Sequence, residues 1–569
     1  MLDVLISHGT IVDGTGGRPA QGSVGIKGRR VVAVGKVDEP ARRRVDASGL
    51  VVAPGFVDVH THYDAQLFWD PNASPSPLHG VTTVMGGNCG FTIAPLVPRE
   101  ADYLMRMMAR VEGMPLDALA AGLPWDWTTF GDWLDRLDGR IAVNAGFLVG
   151  HSAIRRAVLG SDAVSRAATK DEITAMADVL RSSLSAGAVG FSTSRAPTHS
   201  DGDGRPVPSR WADEAELLAL ASVVREFPAT TVGLLPAVGP FSDEVIELMT
   251  ALSLAADRPV NWNVLGASPE GHHLRQLEAS DRAAVQGGRV VALTLPEVPR
   301  PRLSLRTGFV FDSLPEWGPV MALPLVDRAR ALADAGVRRR LFDGACAPEA
   351  RALATLAAQW AQMEVAEAFA ASTRHLVGRS VGSIAAERGV EPFDAFLDLA
   401  LADDLRTGFL PPPLGDDDGS WSVRGELWAD ERTVIGGSDA GAHVDMQCGA
   451  TYSTSLLGTG VRERRLIDLA EAVHQLTDVP ARLYGLRDRG RLQPGWLADL
   501  VVFDADTIAP EPVRTVRDLP GGAERLYASA RGVVHVFVNG VEIVDGGAFT
   551  GEVPGTVLRS GRDFVEVRP

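Results

Sequence analysis

Lysine is almost missing from this chain of 569 residues: Lys27, Lys36 and Lys170 stand alone among 55 basic side chains. A pair of metal ions bridged by a carboxylated lysine is the first arrangement this scarcity argues against. Cysteine is nearly as rare. Cys89, Cys346 and Cys448 are far apart, which excludes a disulfide framework and suits a reducing compartment. No apolar run approaches the ~20 residues of a spanning helix. The start, "MLDVLISHGTIVDG", has no basic segment, no long apolar core and no small-residue cleavage site. It reads as a first β-strand, and a cytoplasmic location is expected. Positive charge is short too. The net charge of −17 argues against nucleic acid or an anionic membrane as partner, because both select basic surfaces. A small-molecule substrate is the expected partner.

What the chain does have is alternation. Residues 1–57 and those from about 485 onward give short β-type runs, among them "ADLVVFDAD" and "GVVHVFVNGVEIVDGG". Asn539-Gly540 lies between two of them, a strong signal for a tight hairpin. The expectation is a small β-sandwich domain, 1–57 with 485–569, built from both chain ends. The middle, 58–484, alternates strand and helix. "GFVDVHTH", "GVTTVMGGNCG" (80–90), "IAVNAGFLVGH" (141–151), "GAVGFSTSR" (187–195), "TTVGLLPAV" (230–238), "RPVNWNVLG" (258–266), "GRVVALTLPE" (288–297) and "RTVIGGSDAG" (432–441) read as eight buried strands. Thr169 and Glu172 have capping-box spacing at the head of a helix stopped by Gly187. Eight βα units predict an α/β fold, a (β/α)8 barrel whose active site lies at the C-terminal ends of the strands. Two insertions interrupt it, at about 91–139 and at 298–431, where the longer one follows the seventh strand.

Three clusters with metal chemistry stand at those ends. His60 and His62 alternate in "VDVHTHYD", so both imidazoles point to one side of a strand. Neutral imidazole is a common zinc ligand. Cys89, in "MGGNCGF", offers a thiolate where glycines permit close backbone approach. Asp439, in "GGSDAGAHVD", offers a carboxylate that can hold a metal and take a proton from water activated by it.

Together "PGFVDVHTHYD", "HGVTTVMGGNCGF", "GHSAIR", "GAVGFSTS", "GGSDAG" and "DRGRLQPGWLADLVVFD" resemble the amidohydrolase superfamily, and within it the N-acyl-D-amino-acid deacylase (D-aminoacylase) family. The resemblance spans nearly the whole chain. It implies a barrel with a β-sandwich domain, a zinc site, and hydrolysis of an amide at a D-amino acid. By position, His60 and His62 match the metal-site pair, Cys89 the cysteine ligand, and Asp439 the catalytic aspartate. One departure is clear. The family carries histidine ligands at the ends of the fifth and sixth strands, and here those ends read "TVGLLPAV" and "VNWNVLG". Leu235 and Pro236 cannot bind a metal, and Asn263 is a weak oxygen ligand.

The expected site is therefore one divalent metal, zinc first, held by His60, His62 and Asp439, with Cys89 near or ligating. Asp439 also serves as proton shuttle. His443, His199 and His151 face the same end and are candidates for a further metal or substrate role. Arg195, Arg300 and Arg302 are candidates for a substrate carboxylate. The expected activity is metal-dependent cleavage of a C–N amide bond in an N-acyl-D-amino acid. The alternatives are a cyclic amide, lactone or ester as substrate, and a catalytically inactive binding protein.

Overall fold

The computed structural model describes residues 1–237, 239–307, 310–350 and 357–569. Val238, at the end of the expected fifth strand, and residues 308–309 and 351–356 of the long insertion lie outside the described residues.

Strands from the two chain ends share one nine-stranded sheet. Val51–Pro54, near the start, pairs antiparallel with Leu500–Phe503, near the end, with Val52 opposite Val502. The strands enclose an apolar core containing Ile6, Val24, Ile26, Val31, Leu500 and Phe537. Val538 and Val541 face each other across the Asn539-Gly540 turn. Both turn residues have positive φ, 50° and 82°, the geometry that matches the twist of a hairpin.

The middle of the chain forms eight parallel strands: β1 (Phe56–Asp58), β2 (Val81–Gly86), β3 (Asn144–Phe147, continued by Val149–Gly150), β4 (Gly190–Ser194), β5 (Thr231–Leu235), β6 (Val260–Leu265), β7 (Val290–Thr294) and β8 (Thr433–Ile435). Each pairs in parallel with the next. The ring closes just past β1 and β8, where Thr61 bridges to Ala440 and His62 N donates to Ala440 O at 2.8 Å. β2 and β7 are buried along their whole length, on both faces, so neither shows the polar/apolar alternation of a half-exposed strand.

Helices lie between the strands. α1 (Ala101–Val111) belongs to the segment after β2. α2 (Lys170–Ser185), α3 (Glu214–Arg225), α4 (Asp243–Ala256) and α5 (His272–Val285) precede β4, β5, β6 and β7 in turn. The ends of α2, α3 and α4 are set by side chains. Thr169 and Glu172 form a reciprocal capping box on α2, and Asp213 and Ser242 accept from the third-residue amides of α3 and α4. The segment between β7 and β8 packs around a separate aromatic core that includes Phe311, Trp317, Trp360, Phe396 and Phe409. Among the described residues no helix is long and apolar enough to cross a membrane.

Candidate metal centre

The C-terminal ends of β1, β2 and β8 bring four expected residues together. His60, His62 and Cys89 offer ligand atoms that all lie within 4.8 Å of one another. Asp439 Oδ1 lies 3.1 Å from His60 Nε2 and 3.4 Å from His62 Nε2. Cys89 Sγ lies 3.4 Å from His60 Nε2. The two histidines and the cysteine are buried, and the Asp439 side chain keeps about a quarter of its surface, 27 %, open.

Local backbone geometry makes this convergence possible. Cys89 and Asp439 have φ of 54° and 56°, in the left-handed region that non-glycine residues seldom occupy, and such conformations gather at functional sites. Gly87, also left-handed, lets the turn carrying Cys89 lie against the chain of β3; a Cβ there would stand 2.1 Å from Leu148 O. Asn88 braces the same turn by donating to Met85 O at 2.8 Å. Asp58 accepts from the amide of His60 at 3.3 Å and from Ser438 Oγ at 2.6 Å, linking the loops after β1 and β8.

The electrostatics follow from burial among opposed charges. Burial works against the ionised form of Asp439, but hydrogen bonds from His60 and His62 outweigh it and hold the carboxyl well below its usual range. Burial likewise lowers His60, yet the Cys89 sulfur and Asp439 raise it to about 9. Burial raises the Cys89 thiol, and the charges and hydrogen bonds of His60 and His62 together more than reverse this, shifting it towards thiolate. Burial, the largest cause, pushes the Asp58 carboxyl up to about 7, with the charge of Asp439 in the same sense and the Ser438 hydrogen bond against it. Imidazole, thiolate and carboxylate at one point form the donor set of a zinc-type site. The residues present thus fit a divalent ion.

Beside Cys89, on β6, stands Asn263, with its side-chain oxygen 3.9 Å and nitrogen 3.8 Å from Sγ. β5 ends at Leu235 and continues into Pro236. The side of the cluster facing these strands therefore has an amide and no imidazole.

The other expected residues divide. His443 follows Asp439 in the loop after β8, and its amide donates to the carbonyl of Glu112. His199 is buried near the site, bonded through Nδ1 to Ser194 Oγ at 2.9 Å and packed on Phe91. Burial, then the charge of His443, lowers its pKa to about 3, so it is neutral. His151 does not reach the cluster. Its Nε2 binds Glu216 Oε1 at 2.7 Å, its Nδ1 binds Thr193 Oγ1 at 2.9 Å, and Arg155 holds the other Glu216 oxygen. Both His151 ring nitrogens are therefore engaged within a fully buried network. The Arg302 guanidinium pairs with Glu367 and donates to Val513 O at 2.6 Å, while its amide donates to Met446 O at 2.7 Å. Arg195 sits half-buried after β4 and donates to Ala212 O at 2.7 Å, while Arg300 is exposed.

One residue at the site carried no sequence signal. Glu112, directly after α1, places Oε1 3.3 Å from His62 Nδ1. A glutamate at a helix end reads as a solvated residue, and only the fold shows it buried. A second candidate cluster, His535, Glu542 and Asp545, lies on the nine-stranded sheet, where Arg43 already pairs with both carboxylates.

Residues 43–544 match the amidohydrolase family. The chain belongs to that family. It is 29 % identical to D-aminoacylase of Alcaligenes xylosoxydans xylosoxydans over 563 residues, covering 98 % of this chain and 97 % of that one. A D-aminoacylase structure described for the functional role of its binuclear metal centre superposes with a TM-score of 0.64 at 28 % identity, covering 98 % of this chain and 100 % of that one. N-acyl-D-glutamate deacylase from Bordetella bronchiseptica, complexed with zinc and a phosphonate mimic of the tetrahedral intermediate, superposes with a TM-score of 0.64 at 27 % identity, covering 98 % and 99 %.

Proposed function

We propose that this amidohydrolase hydrolyses the amide bond of N-acyl-D-amino acids, using one divalent ion held by His60, His62 and Asp439. The observation that carries this reading is the position of Asp439 Oδ1, within 3.4 Å of both Nε2 atoms. When bound, the ion supplies Lewis acidity and lowers the pKa of water. Asp439 accepts a proton at its carboxylate and returns one to the leaving nitrogen. His60 and His62 would present Nε2 to the same ion as the Asp439 carboxylate, and their burial limits access of competing solvent. Zinc is the expected metal, since the solved N-acyl-D-glutamate deacylase contains it and the donor set here suits it. Cys89 stands near enough to add a thiolate.

A single ion fits this chain better than two. The related D-aminoacylase is described by one-metal activation and second-metal attenuation of a binuclear centre. Here Asn263, Leu235 and Pro236 occupy the strand ends where the family places two further histidines. This change at β5 and β6 also favours a second reading, hydrolysis of a cyclic amide, lactone or ester on the same scaffold.

A panel of N-acyl-D- and N-acyl-L-amino acids, cyclic amides and lactones, assayed with added zinc, tests the proposal. Turnover of the D-acyl compounds is expected. Turnover of lactones alone would replace the first reading with the second.

A further inference from the structure

Glu112 combines two unfavourable choices. It caps the C-terminal end of α1, where the helix dipole disfavours negative charge, and it is 2 % exposed, where an unpaired carboxylate is costly. Among the described residues no arginine or lysine forms a salt bridge with it. Its partner is His62, whose Nδ1 lies 3.3 Å from Oε1. That nitrogen is itself buried and has no well-formed hydrogen bond. The other ring nitrogen, Nε2, faces Asp439. A metal-binding histidine usually donates its second ring N–H to a carboxylate, which fixes its tautomer and orientation.

The main chain around Glu112 is clamped as well. The His443 amide donates to the Glu112 carbonyl. The next residue, Gly113, has φ of 59°, and a Cβ there would lie 2.5 Å from Asp445 Oδ1 and 3.0 Å from His443 Cα. The segment after β2 therefore closes directly onto the loop that carries Asp439.

We propose that Glu112 is a positioning residue that fixes His62 through Nδ1, so that divalent-cation affinity depends on docking of residues 91–139 against the loop 439–445. This rests on the metal-site reading above. It adds a residue from outside the barrel strands and a link between an inserted segment and the ligand set. Binding and docking are then coupled in both directions, because linkage is reciprocal.

The zinc-loaded full chain, titrated with a chromophoric chelator, tests this. Glu112→Gln keeps the shape and removes the charge, and zinc affinity is expected to fall about 10–100-fold. Glu112→Asp is expected to recover part of the loss, and it carries the comparison if the Gln variant does not fold. Gly113→Ala, whose added methyl would meet Asp445 and His443, is expected to weaken zinc binding by displacing the segment. Zinc is expected to protect residues 91–139 from limited proteolysis in the wild type and to do so less in Glu112→Gln. A packing role alone would lower the unfolding midpoint and leave the zinc titration unchanged. Equal zinc affinity in the wild type and in folded Glu112 variants overturns the proposal and leaves the metal-site reading standing. A wild-type chain that binds no zinc overturns both.

Discussion

Asp439 touches His60 twice: its amide donates to the His60 carbonyl at 3.1 Å, and its Oδ1 lies 3.1 Å from His60 Nε2. The first contact helps to close the ring between the ends of β1 and β8. The second brings the carboxylate to the imidazole. Closing the barrel and assembling the site are therefore one event, which explains why both residues sit just beyond their strands.

Asp439→Asn keeps the size of the side chain but removes the base. With saturating zinc, kcat is expected to fall by about 10²–10⁴-fold, the range for loss of a positioned proton carrier. Steady-state kinetics on a substrate of the wild type measures this. Circular dichroism is expected to show the fold unchanged.

His60→Ala removes a proposed ligand that lies 3.1 Å from Asp439 Oδ1. The purified variant is expected to lose its metal and all measurable turnover. Metal content by mass spectrometry decides the point, and retention of stoichiometric zinc would count against a ligand role for His60.

Glu216→Ala probes the buried network that holds His151. The change leaves Arg155 buried without its carboxylate, and breaking a buried pair on one side costs about 3–5 kcal/mol. Urea unfolding measures the loss. Zinc content is expected to stay at the wild-type level, because neither His151 nor Glu216 reaches the metal ligands.

Glu297 gives a pH dependence of known sign. Burial raises its carboxyl to about 7, against opposing hydrogen bonds from Ser455 and Thr451. The folded state thus holds its proton while the unfolded chain, with an ordinary carboxyl pKa, has released it. The group costs no stability at low pH, lowers stability progressively as pH rises from the usual carboxylate range towards 7, and adds no further change above that. Glu297→Gln is expected to remove this decline, so its stability relative to the wild type rises between pH 5 and 7. Urea midpoints at several pH values measure it.

Much of the fold was legible because it rests on local patterns. β-branched and apolar runs mark β2 and β7, the Thr169–Glu172 spacing marks the start of α2, and Asn539-Gly540 marks the hairpin. The expected strands were too long at their ends. The run 432–441 contains only β8, Thr433–Ile435, because the chain leaves the sheet to turn through Asp439. His60, His62, Cys89 and Asp439 stood out because metal-binding side chains are unusual at strand ends. The network around His151 was not legible because its partner Glu216 is 65 positions away in the chain. The pairing of Arg302 with Glu367, 65 positions on, was equally invisible. Glu112 was silent because its role exists only once α1 has docked.

The most direct measurement is a crystal structure of the zinc-loaded chain with anomalous data at the zinc edge. One peak is expected, bonded to His60 Nε2, His62 Nε2 and a carboxylate oxygen of Asp439 at about 2.0–2.2 Å. A zinc peak elsewhere, or Asp439 turned away from the ion, would contradict the account.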